Sequence, residues 1–220
     1  MHGMNPKRPP VQSDGLTLDV QEIFPTLQGE GPYVGWPAVF LRLGGCNLAC
    51  EFCDTEFENF KEMSLEDVIS EIEQKSNEQQ KLIVITGGEP LRQNIVPLCT
   101  MLVAMGHHVQ IETNGTIYRE LPEGVDIICS PKVTNGKYHP VREDLLARID
   151  AFKFIISEDD SAYRDVAEVG QSVHGTPVYV QPMDMHDKEQ NARNTARAAE
   201  LAQSQGYRLS LQIHKILGIP

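Results

Sequence analysis

Three cysteines lie within eight residues of the chain, in the segment GGCNLACEFCDT. Cys46, Cys50 and Cys53 follow a C-x3-C-x2-C spacing, and no fourth cysteine stands near them in the sequence. Closed iron–sulfur sites and structural zinc sites normally use four protein ligands. A compact group of three therefore indicates a metal centre that keeps one coordination position open for chemistry.

Three more ordinary roles compete with a reactive centre for these cysteines. Buried free cysteines are common, but this spacing followed by an Asp-Thr pair is hard to explain by packing. A Cys3His zinc site completed by a distant histidine stays open, since the chain has seven histidines. A disulfide framework is disfavoured because five cysteines is an odd number and the chain is long for a disulfide-stapled miniprotein. Cys99 and Cys129 have apolar neighbours and are predicted to be core residues.

The composition predicts a globular protein that acts on a small molecule. The 220 residues suffice for one large domain with a substantial core. The formal net charge of -12 argues against a broad nucleic-acid-binding surface, which requires clustered lysine and arginine. No apolar run approaches the roughly 18 residues that cross a bilayer. We therefore expect a cytoplasmic protein without a nucleic-acid or membrane partner.

The order of the elements indicates one α/β domain. Residues 1–17 are predicted to be a flexible N-terminal extension outside the fold, because the opening segment is rich in proline and polar residues. Residues 18–220 are predicted to form a single domain, in which apolar strand-like runs alternate with amphipathic helical segments. The predicted strands cover residues 38–43, 82–86, 108–113, 125–130, 151–157, 178–181 and 208–213.

Two helices can be predicted from their ends and composition. Ser64 is expected to cap a helix over residues 65–79, with Asp67 in the capping-box position. Residues 191–205, rich in alanine, arginine and glutamate, are expected to form another helix. A closed barrel of eight βα units takes about 250 residues. The chain is shorter, so the predicted fold is a shortened, partly open (β/α) barrel.

A second segment of interest follows the strand over residues 82–86. It reads Gly87-Gly88-Glu89-Pro90. Parallel α/β folds collect ligands at the carboxyl ends of their strands, where this segment and the cysteines are both expected. The Gly-Gly pair permits close approach to the backbone, and Glu89 adds a hydrogen-bond acceptor. Taken alone, the segment is more typical of an ordinary βα turn.

Taken together, the cysteine spacing and the GGE segment resemble the radical S-adenosylmethionine (SAM) superfamily. In that superfamily three thiolates hold a 4Fe-4S cluster, the fourth iron binds SAM, and one electron releases a 5'-deoxyadenosyl radical. Longer phrases resemble the 7-carboxy-7-deazaguanine synthase family of queuosine and deazapurine biosynthesis. They are EIFPTLQGEGPYVGWPAVFLRLGGCNLACEFCDT, VITGGEPL, IETNGT, SPK, YVQP and LSLQIHKILGIP. TLQGEG and QIHK discriminate best, because the other two motifs belong to the whole superfamily.

This resemblance implies a radical lyase that converts 6-carboxy-5,6,7,8-tetrahydropterin to 7-carboxy-7-deazaguanine with loss of ammonia. It implies a 4Fe-4S cluster, SAM and Mg²⁺ as cofactors, a flavodoxin-like or ferredoxin-like one-electron donor, and a homodimer. Cys46, Cys50 and Cys53 would hold the cluster, and the side-chain oxygen of Thr55 would bind Mg²⁺. No catalytic residue beyond the cofactor ligands is predicted.

The resemblance also implies two groups of binding residues. Those that would contact SAM are Gly88, Glu89, Ser130, Pro131, Lys132, Gln181, Pro182, Met183 and Asp184. Those that would contact the pterin are Leu27, Gln28, Gly29, Glu30, Arg42, Thr86, His214 and Pro220. Arg42 is expected to receive the substrate carboxylate in a forked pair of hydrogen bonds, although an arginine in an apolar strand can instead snorkel to solvent or pair with a structural acid. Pro220 is expected to fold over the pocket.

Two rival functions remain at this point. A glycyl-radical-activating enzyme, or another small radical SAM protein, would share the cysteine and GGE segments without a pterin pocket. A non-enzymatic metal-binding or electron-transfer module would need a fourth protein ligand beside the three cysteines. TLQGEG and QIHK favour the synthase over the first rival. The second rival is distinguished by the number of protein ligands that hold the metal centre, which would be four instead of three.

Overall fold

The computed structural model describes residues 5–53, 55–76 and 82–220 of the chain. The strands are β1 (Thr17–Leu27), β2 (Pro37–Leu43), β3 (Lys61–Ser64), β4 (Leu82–Gly87), β5 (His108–Thr113), β6 (Val125–Cys129), β7 (Val133–Thr134), β8 (Lys137–Tyr138), β9 (Ile149–Ile156), β10 (Val178–Pro182) and β11 (Arg208–Leu209). The helices are α1 (Leu65–Lys75), α2 (Val96–Ala104), α3 (Glu143–Leu146), α4 (Gln171–His174), α5 (Lys188–Gln205) and α6 (Ile213–Leu217). Within the described ranges, no helix is both long and apolar enough to cross a membrane.

Nine strands form one sheet in the order β11-β10-β9-β6-β5-β4-β2-β1-β3. In this sheet order, every neighbouring pair from β11 to β2 is parallel, whereas β1 pairs antiparallel with both β2 and β3. Strands β7 and β8 form a separate antiparallel pair. Among the described residues, no pairing joins the outer strands β3 and β11. The predicted α/β fold, a (β/α) barrel that stays open, is confirmed.

Strand β4 shows why a parallel sheet could be predicted from the sequence. Ile83 and Ile85 belong to the main core, which also contains buried residues of α1, α2 and α5. Leu82 and Val84 point to the opposite face, where they pack with Ala38. Since both faces are covered, the strand reads as a continuous apolar run rather than an alternating one.

Helix α1 begins as the sequence predicted. The Ser64 hydroxyl accepts a hydrogen bond from the Asp67 backbone N–H at 3.1 Å and donates one to the Asp67 carboxylate at 2.8 Å. These bonds supply a partner for one N–H group that the first helical turn leaves unsatisfied. Residues 77–79 of the predicted helix lie outside the described residues, as do residue 54 of the cysteine segment and residues 1–4.

Two elements at the ends of the fold differ from the prediction. Strand β1 was missed because its alternation is interrupted by a bulge between Val20 and Glu22 and because it contains Pro25. Pro25 is tolerated since it lies beyond the four residues of β1 that pair with β3. The strand predicted over residues 208–213 ends at Leu209, and Ile213 begins α6 instead.

The beginning of the described chain also requires a correction. Residues 5–11, named here the N-terminal strap, lie against the loop that carries the cysteines. Lys7 and Cys46 form a parallel β-bridge, and the Arg8 backbone N–H donates to the Cys46 carbonyl at 2.7 Å. The Val11 N–H donates to the Arg92 carbonyl at 2.7 Å. The prediction that this part lies outside the fold is wrong, because backbone hydrogen bonds of this kind leave no trace in composition.

Candidate active site

A cavity of about 600 Å³ lies at the carboxyl ends of the parallel strands. It brings together all but three of the residues singled out from the sequence. Those that line it are Leu27, Gln28, Glu30, Arg42, Cys46, Cys50, Cys53, Thr55, Thr86, Gly88, Ser130, Lys132, Gln181, Pro182, Met183, Asp184, His214 and Pro220. The three that do not line it are Gly29, Glu89 and Pro131.

The three cysteines share one wall of this cavity. They lie in the cysteine loop, residues 44–60, of which the structure describes all but residue 54. Cys46 is buried, whereas Cys50 and Cys53 are partly exposed. Burial raises the pKa of the Cys46 thiol to about 12, so a bound metal would have to displace its proton.

The cysteines do not form a site for a single ion. Within the described ranges, no three His, Cys, Asp or Glu side chains converge on one metal position. Such convergence is what a mononuclear zinc site would need. In a 4Fe-4S cluster each thiolate binds a different iron, so its ligands stand apart. Three soft sulfur ligands beside an open cavity fit a cluster of this kind.

The Gly-Gly pair after β4 packs against the cysteine loop. Gly87 has a φ of +132°, and a Cβ at Gly88 would lie 2.2 Å from the Gly45 carbonyl oxygen and 2.8 Å from the Cys46 Cβ. The Glu89 backbone N–H donates to the same Gly45 carbonyl at 3.1 Å. The two glycines are therefore required by the close approach of two backbones, in addition to any approach of a ligand.

The side chain of Glu89 is fully buried and does not line the cavity. Its carboxylate accepts hydrogen bonds from the Leu91 N–H at 3.0 Å, the Thr113 hydroxyl at 2.7 Å and the Asn114 N–H at 2.7 Å. Burial nevertheless raises the pKa of Glu89. This carboxylate joins the end of β4 to the end of β5, and its expected contact with SAM stays a prediction.

A chain of hydrogen bonds continues from β5 to the cysteine loop. The Asn114 side chain donates to the Asn47 side-chain oxygen at 2.9 Å, and Asn47 donates to the Thr116 hydroxyl at 2.8 Å. Asn47 lies directly after the first cysteine. This role of Asn47 was not predicted from the sequence, although Asn114 and Thr116 belong to the IETNGT phrase.

Lys132 brings a positive charge to the cysteine wall. Its ammonium donates to the Ser130 carbonyl at 2.8 Å and to the Ser130 hydroxyl at 2.6 Å. Burial lowers the pKa of Lys132, while the neighbouring Cys50 acts in the opposite direction. A cation fixed in this place is suited to an anionic cluster or to a carboxylate bound beside it.

The part of the cavity nearest to β5 and β9 contains a buried ion-paired cluster. Lys153, with a side chain only 4% exposed, forms ion pairs with Glu30 and, at 3.0 Å, with Glu112. Burial alone would raise the pKa of Glu30, but the Lys153 charge and hydrogen bonds from Lys153 and Gln212 lower it to about 2. The pKa of Lys153 is raised by the same two carboxylates, against the effect of its burial.

Amide side chains surround this carboxylate–lysine cluster. Gln28 and Gln110 each donate to Glu112 Oε1, at 3.2 and 3.1 Å, and Gln212 donates to Glu30 Oε1 at 2.8 Å. Every charge in the cluster therefore has partners, as burial requires. Glu30 and Gln28 were predicted from the sequence, whereas Glu112, Lys153 and Gln212 were missed. A lysine inside the apolar run AFKFIIS was the available signal.

Arg42 lies on the cavity wall with a protein acid as its partner. Its Nε donates to Glu22 Oε1 at 2.7 Å, and its guanidinium carbon is 5.7 Å from the centre of the Phe24 ring. This ion pair with a structural acid is the alternative that the sequence left open for Arg42. The two Nη atoms carry four further N–H donors, so the pair with Glu22 does not use up the guanidinium.

The last residues of the chain border the cavity. A Cβ at Gly29 would lie 2.0 Å from His214 Nδ1, so the absence of a side chain at Gly29 makes room for this imidazole. The Thr26 hydroxyl donates to the Pro220 carbonyl oxygen at 2.7 Å. Lys215 forms an ion pair with Asp184 at 2.7 Å. Partial burial acts to raise the pKa of Asp184, but this bond and two others lower it well below its usual range.

The two remaining cysteines are core residues, as predicted. Cys99 and Cys129 are fully buried, and neither lines the cavity. Burial raises the pKa of Cys99 to about 12. Such thiols are poor nucleophiles and poor metal ligands at neutral pH.

The chain is similar to a known protein family and to known proteins. The model of the Radical SAM superfamily matches residues 41–135, which include the three cysteines and the Gly-Gly pair. The chain is 52% identical to the 7-carboxy-7-deazaguanine synthase of Rickettsia prowazekii, over 100% of this chain and 96% of the relative. It is 42% identical to the 7-carboxy-7-deazaguanine synthase of Rhodospirillum rubrum, over the full length of both.

A solved structure extends the comparison to the fold. The crystal structure of QueE from Escherichia coli superposes with a TM-score of 0.70 at 26% sequence identity, over 92% of this chain and 99% of that one. The likeness thus extends over most of the fold. On sequence identity over its whole length, the chain belongs to the 7-carboxy-7-deazaguanine synthase family of the radical SAM superfamily.

Proposed function

We propose that this chain converts 6-carboxy-5,6,7,8-tetrahydropterin to 7-carboxy-7-deazaguanine with loss of ammonia, in queuosine or deazapurine biosynthesis. The observation that carries the proposal is one cavity shared by three cysteines and two ion-paired carboxylates. The cysteines suit a radical-generating cofactor, and the carboxylates suit a substrate rich in N–H groups. The full-length relatives favour this reaction over the activation of a glycyl-radical enzyme.

The cysteine side of the cavity would bind the cofactors. Cys46, Cys50 and Cys53 would hold the 4Fe-4S cluster, and SAM would lie against Gly88, Ser130, Lys132 and residues 181–184. When bound, these groups supply a 5'-deoxyadenosyl radical by one-electron cleavage of SAM. The protein orients the reacting molecules and keeps water out. In this proposal Glu89 positions the end of β4, and its contact with SAM and a role of Pro131 stay predictions.

The ion-paired side would bind the pterin. Glu30 is held ionised by Lys153, and an ionised carboxylate accepts N–H hydrogen bonds strongly. Glu112 shares the same ammonium and lines the same cavity. Leu27, Gln28, Thr86 and His214 complete this side, and Pro220 would cover the opening. Gly29 contributes by leaving space for His214.

The direct test is an anaerobic assay of the reconstituted protein. The carboxylated tetrahydropterin, SAM and a chemical reductant are added, and 5'-deoxyadenosine and 7-carboxy-7-deazaguanine are both measured. We expect both products, and no deazapurine when either SAM or the reductant is left out. Formation of 5'-deoxyadenosine without any deazapurine would contradict the proposed substrate while leaving the radical chemistry intact.

We also propose that Thr55, which lines the cavity, is a ligand of Mg²⁺. Mg²⁺ commonly takes one or two protein oxygens and completes its shell with water and substrate oxygens. Thr55→Ala is expected to lower product formation at least about 10-fold while iron content stays unchanged, which corresponds to a loss of about 1.4 kcal/mol or more in metal binding.

Thr55→Ser is the matched control for this prediction, since it keeps the hydroxyl oxygen. We expect it to retain most of the activity and the same stimulation by added Mg²⁺. The measurement is the steady-state rate as a function of Mg²⁺ concentration, at equal iron content. A rate that is insensitive both to Thr55→Ala and to removal of divalent ions would contradict the magnesium assignment.

Arg42 is proposed to bind the substrate carboxylate through its Nη atoms while Nε stays with Glu22. Arg42→Lys is expected to raise KM roughly 10-fold, because an ammonium cannot serve Glu22 and also form a planar two-bond fork. Loss of such a bond costs about 1–3 kcal/mol.

Glu22→Gln separates this substrate role of Arg42 from a structural one. The Glu22 side chain is half exposed, so loss of the ion pair costs less than about 1 kcal/mol and leaves Arg42 in place. Under the proposal, Glu22→Gln keeps KM within about twofold of the wild type. Equal changes in KM for Glu22→Gln and Arg42→Lys would show that Arg42 only supports β1 and β2.

Partners and location complete the proposal. The electron donor would be a flavodoxin-like or ferredoxin-like protein, and the chain would form a homodimer, as the family resemblance implies. An acidic chain of net charge -12 supports the absence of a nucleic-acid partner. The cytoplasmic location stays a prediction from the sequence.

A further inference from the structure

The N-terminal strap contacts both ends of the cysteine loop. We propose that the strap holds this loop in its cluster-binding shape, with Arg8 and Asn5 as positioning residues for Cys46 and Cys53. The inference rests on the cluster-binding role proposed above. It assigns a function to the N-terminal strap, a segment that its composition had placed outside the fold. The strap would act on the cluster through the loop, and only Asn5 would reach a ligand atom.

At the start of the loop the contacts are made by the backbone. Lys7 and Cys46 form a β-bridge, and the Arg8 N–H donates to the Cys46 carbonyl at 2.7 Å. The buried Arg92 fixes the strap and the loop together, since its Nη2 donates to the Gly44 carbonyl at 3.1 Å and its Nη1 to the Pro9 carbonyl at 3.4 Å. The first cysteine is therefore tied to the strap by main-chain bonds.

At the end of the loop the contacts are made by side chains. Arg8 donates through Nε, at 2.8 Å, and pairs through Nη2, at 2.7 Å, with the same Glu58 carboxylate oxygen. Its guanidinium carbon lies 5.1 Å from the centre of the Phe60 ring. The Asn5 amide donates to the Thr55 carbonyl at 3.0 Å and lies 3.9 Å from the Cys53 sulfur. One short segment thus joins Cys46 to residues beyond the third cysteine.

The cysteine loop has little regular structure of its own to resist opening. No helix or strand falls between Leu43 and Lys61 in the part that the structure describes. Its short-range support includes the Gly45 N–H bond to the Phe57 carbonyl at 3.0 Å and the Cys53 N–H bond to the Cys50 carbonyl at 3.2 Å. A loop that must present three thiolates gains affinity when outside contacts fix its shape beforehand.

The experiment measures cluster retention instead of turnover. Protein with a reconstituted cluster is mixed anaerobically with an iron chelator, and the loss of cluster absorbance is followed in time. Arg8→Gln is expected to lose its cluster about 10-fold faster than the wild type, the size typical for removal of a residue that supports metal ligands. Asn5→Ala is expected to lower the midpoint potential, because N–H donors near a cluster sulfur stabilise the reduced, more negative state.

Three further variants serve as controls for this test. Arg193→Gln removes an exposed arginine–carboxylate pair, Arg193 with Asp159, and should retain the cluster as the wild type does. Reversal of charge in Arg8→Glu should accelerate loss, and the double change Arg8→Glu with Glu58→Arg should restore slow loss. If Arg8→Gln fails to fold, this reversed pair decides, since absence of rescue overturns the proposal.

The strap and the proposed function can fail separately. A wild-type protein that assembles no cluster would overturn the cluster role and the strap proposal together. A wild-type protein that holds a cluster, with Arg8→Gln losing iron at the same rate and Asn5→Ala keeping the same potential, would overturn the strap proposal alone.

Discussion

Replacement of Cys50 by alanine is expected to abolish both cluster assembly and product formation. Each of the three thiolates is proposed to hold one iron, and neither Cys99 nor Cys129 lines the cavity to replace it. The expected loss of activity is at least about 10³-fold, because the radical chemistry depends wholly on the cofactor. Iron and sulfide per chain after anaerobic reconstitution, together with the visible absorbance of the cluster, provide the measurement. Cys46→Ala and Cys53→Ala should behave in the same way.

Cys99→Ala is the matched control, since it removes a thiol of the same chemistry from the core. Cys99 is fully buried in α2, so its truncation leaves a small cavity that costs about 1 kcal/mol of stability. Iron content and specific activity should stay at the wild-type level. A Cys50→Ala protein with normal iron content and activity would contradict the radical SAM assignment of this site.

Local signals explain which elements could be predicted from the sequence. The hydroxyl of Ser64 caps a residue only a few positions away, and the apolar run over residues 82–85 is continuous in the sequence. The predicted start of α1 and the predicted strand β4 are both confirmed. Strand β1 is stabilised instead by its pairing with β2 and β3. Pro25 and the bulge after Val20 interrupt the alternation of apolar and polar residues that would indicate a strand. Where the partner is distant in sequence, composition and periodicity carry little information.

The residues of the candidate site divide in the same way, into those found in local motifs and those brought together from distant parts of the sequence. The cysteine loop and the Gly-Gly pair are contiguous motifs, and the cysteine spacing alone indicates a metal centre. The Glu30–Lys153–Glu112 cluster joins residues that are 123 and 41 positions apart, so no local pattern could reveal it. Glu89 could be found as a motif residue, but its orientation depends on donors from β5. Family resemblance supplied the rest of the site residues, and most of them line one cavity.

The chemistry of the cavity follows from its two unlike sides. The cysteine side offers sulfur ligands and the Lys132 cation, which suit an iron–sulfur cofactor and the carboxylate of SAM. The opposite side offers ionised carboxylates held by Lys153, which suit a flat substrate with several N–H donors. Since the two sides share one cavity, a radical formed on the first would meet the substrate bound on the second.

Lys153→Met is expected to be the most destabilising single substitution at the substrate side. It removes the ammonium between two buried carboxylates and leaves Glu30 and Glu112 with uncompensated charge. Removal of one partner of a buried ion pair costs about 3–5 kcal/mol. For a chain of this length that corresponds to a fall in Tm of about 10 °C. Activity should also be lost, because Glu30 would protonate or move and so cease to accept from the pterin.

The pH dependence of this effect identifies its cause. The folded pKa of Glu30 is lowered to about 2, so its ion pair stabilises the wild type above the ordinary glutamate pKa. That contribution is lost as the pH falls from about 5 toward about 2. The difference in unfolding free energy between wild type and Lys153→Met should therefore be largest near neutral pH and shrink in acid. Denaturant unfolding at a series of pH values measures it.

The exposed Lys188, the first residue of α5, offers the matched control for the loss of a lysine charge. Lys188→Met should change the unfolding free energy by less than about 0.5 kcal/mol and leave the pH profile parallel to that of the wild type. If Lys153→Met were as stable as Lys188→Met at neutral pH, the carboxylates would not depend on the ammonium. Their ionised state, and with it the proposed recognition of the pterin N–H groups, would then need another source of stabilisation.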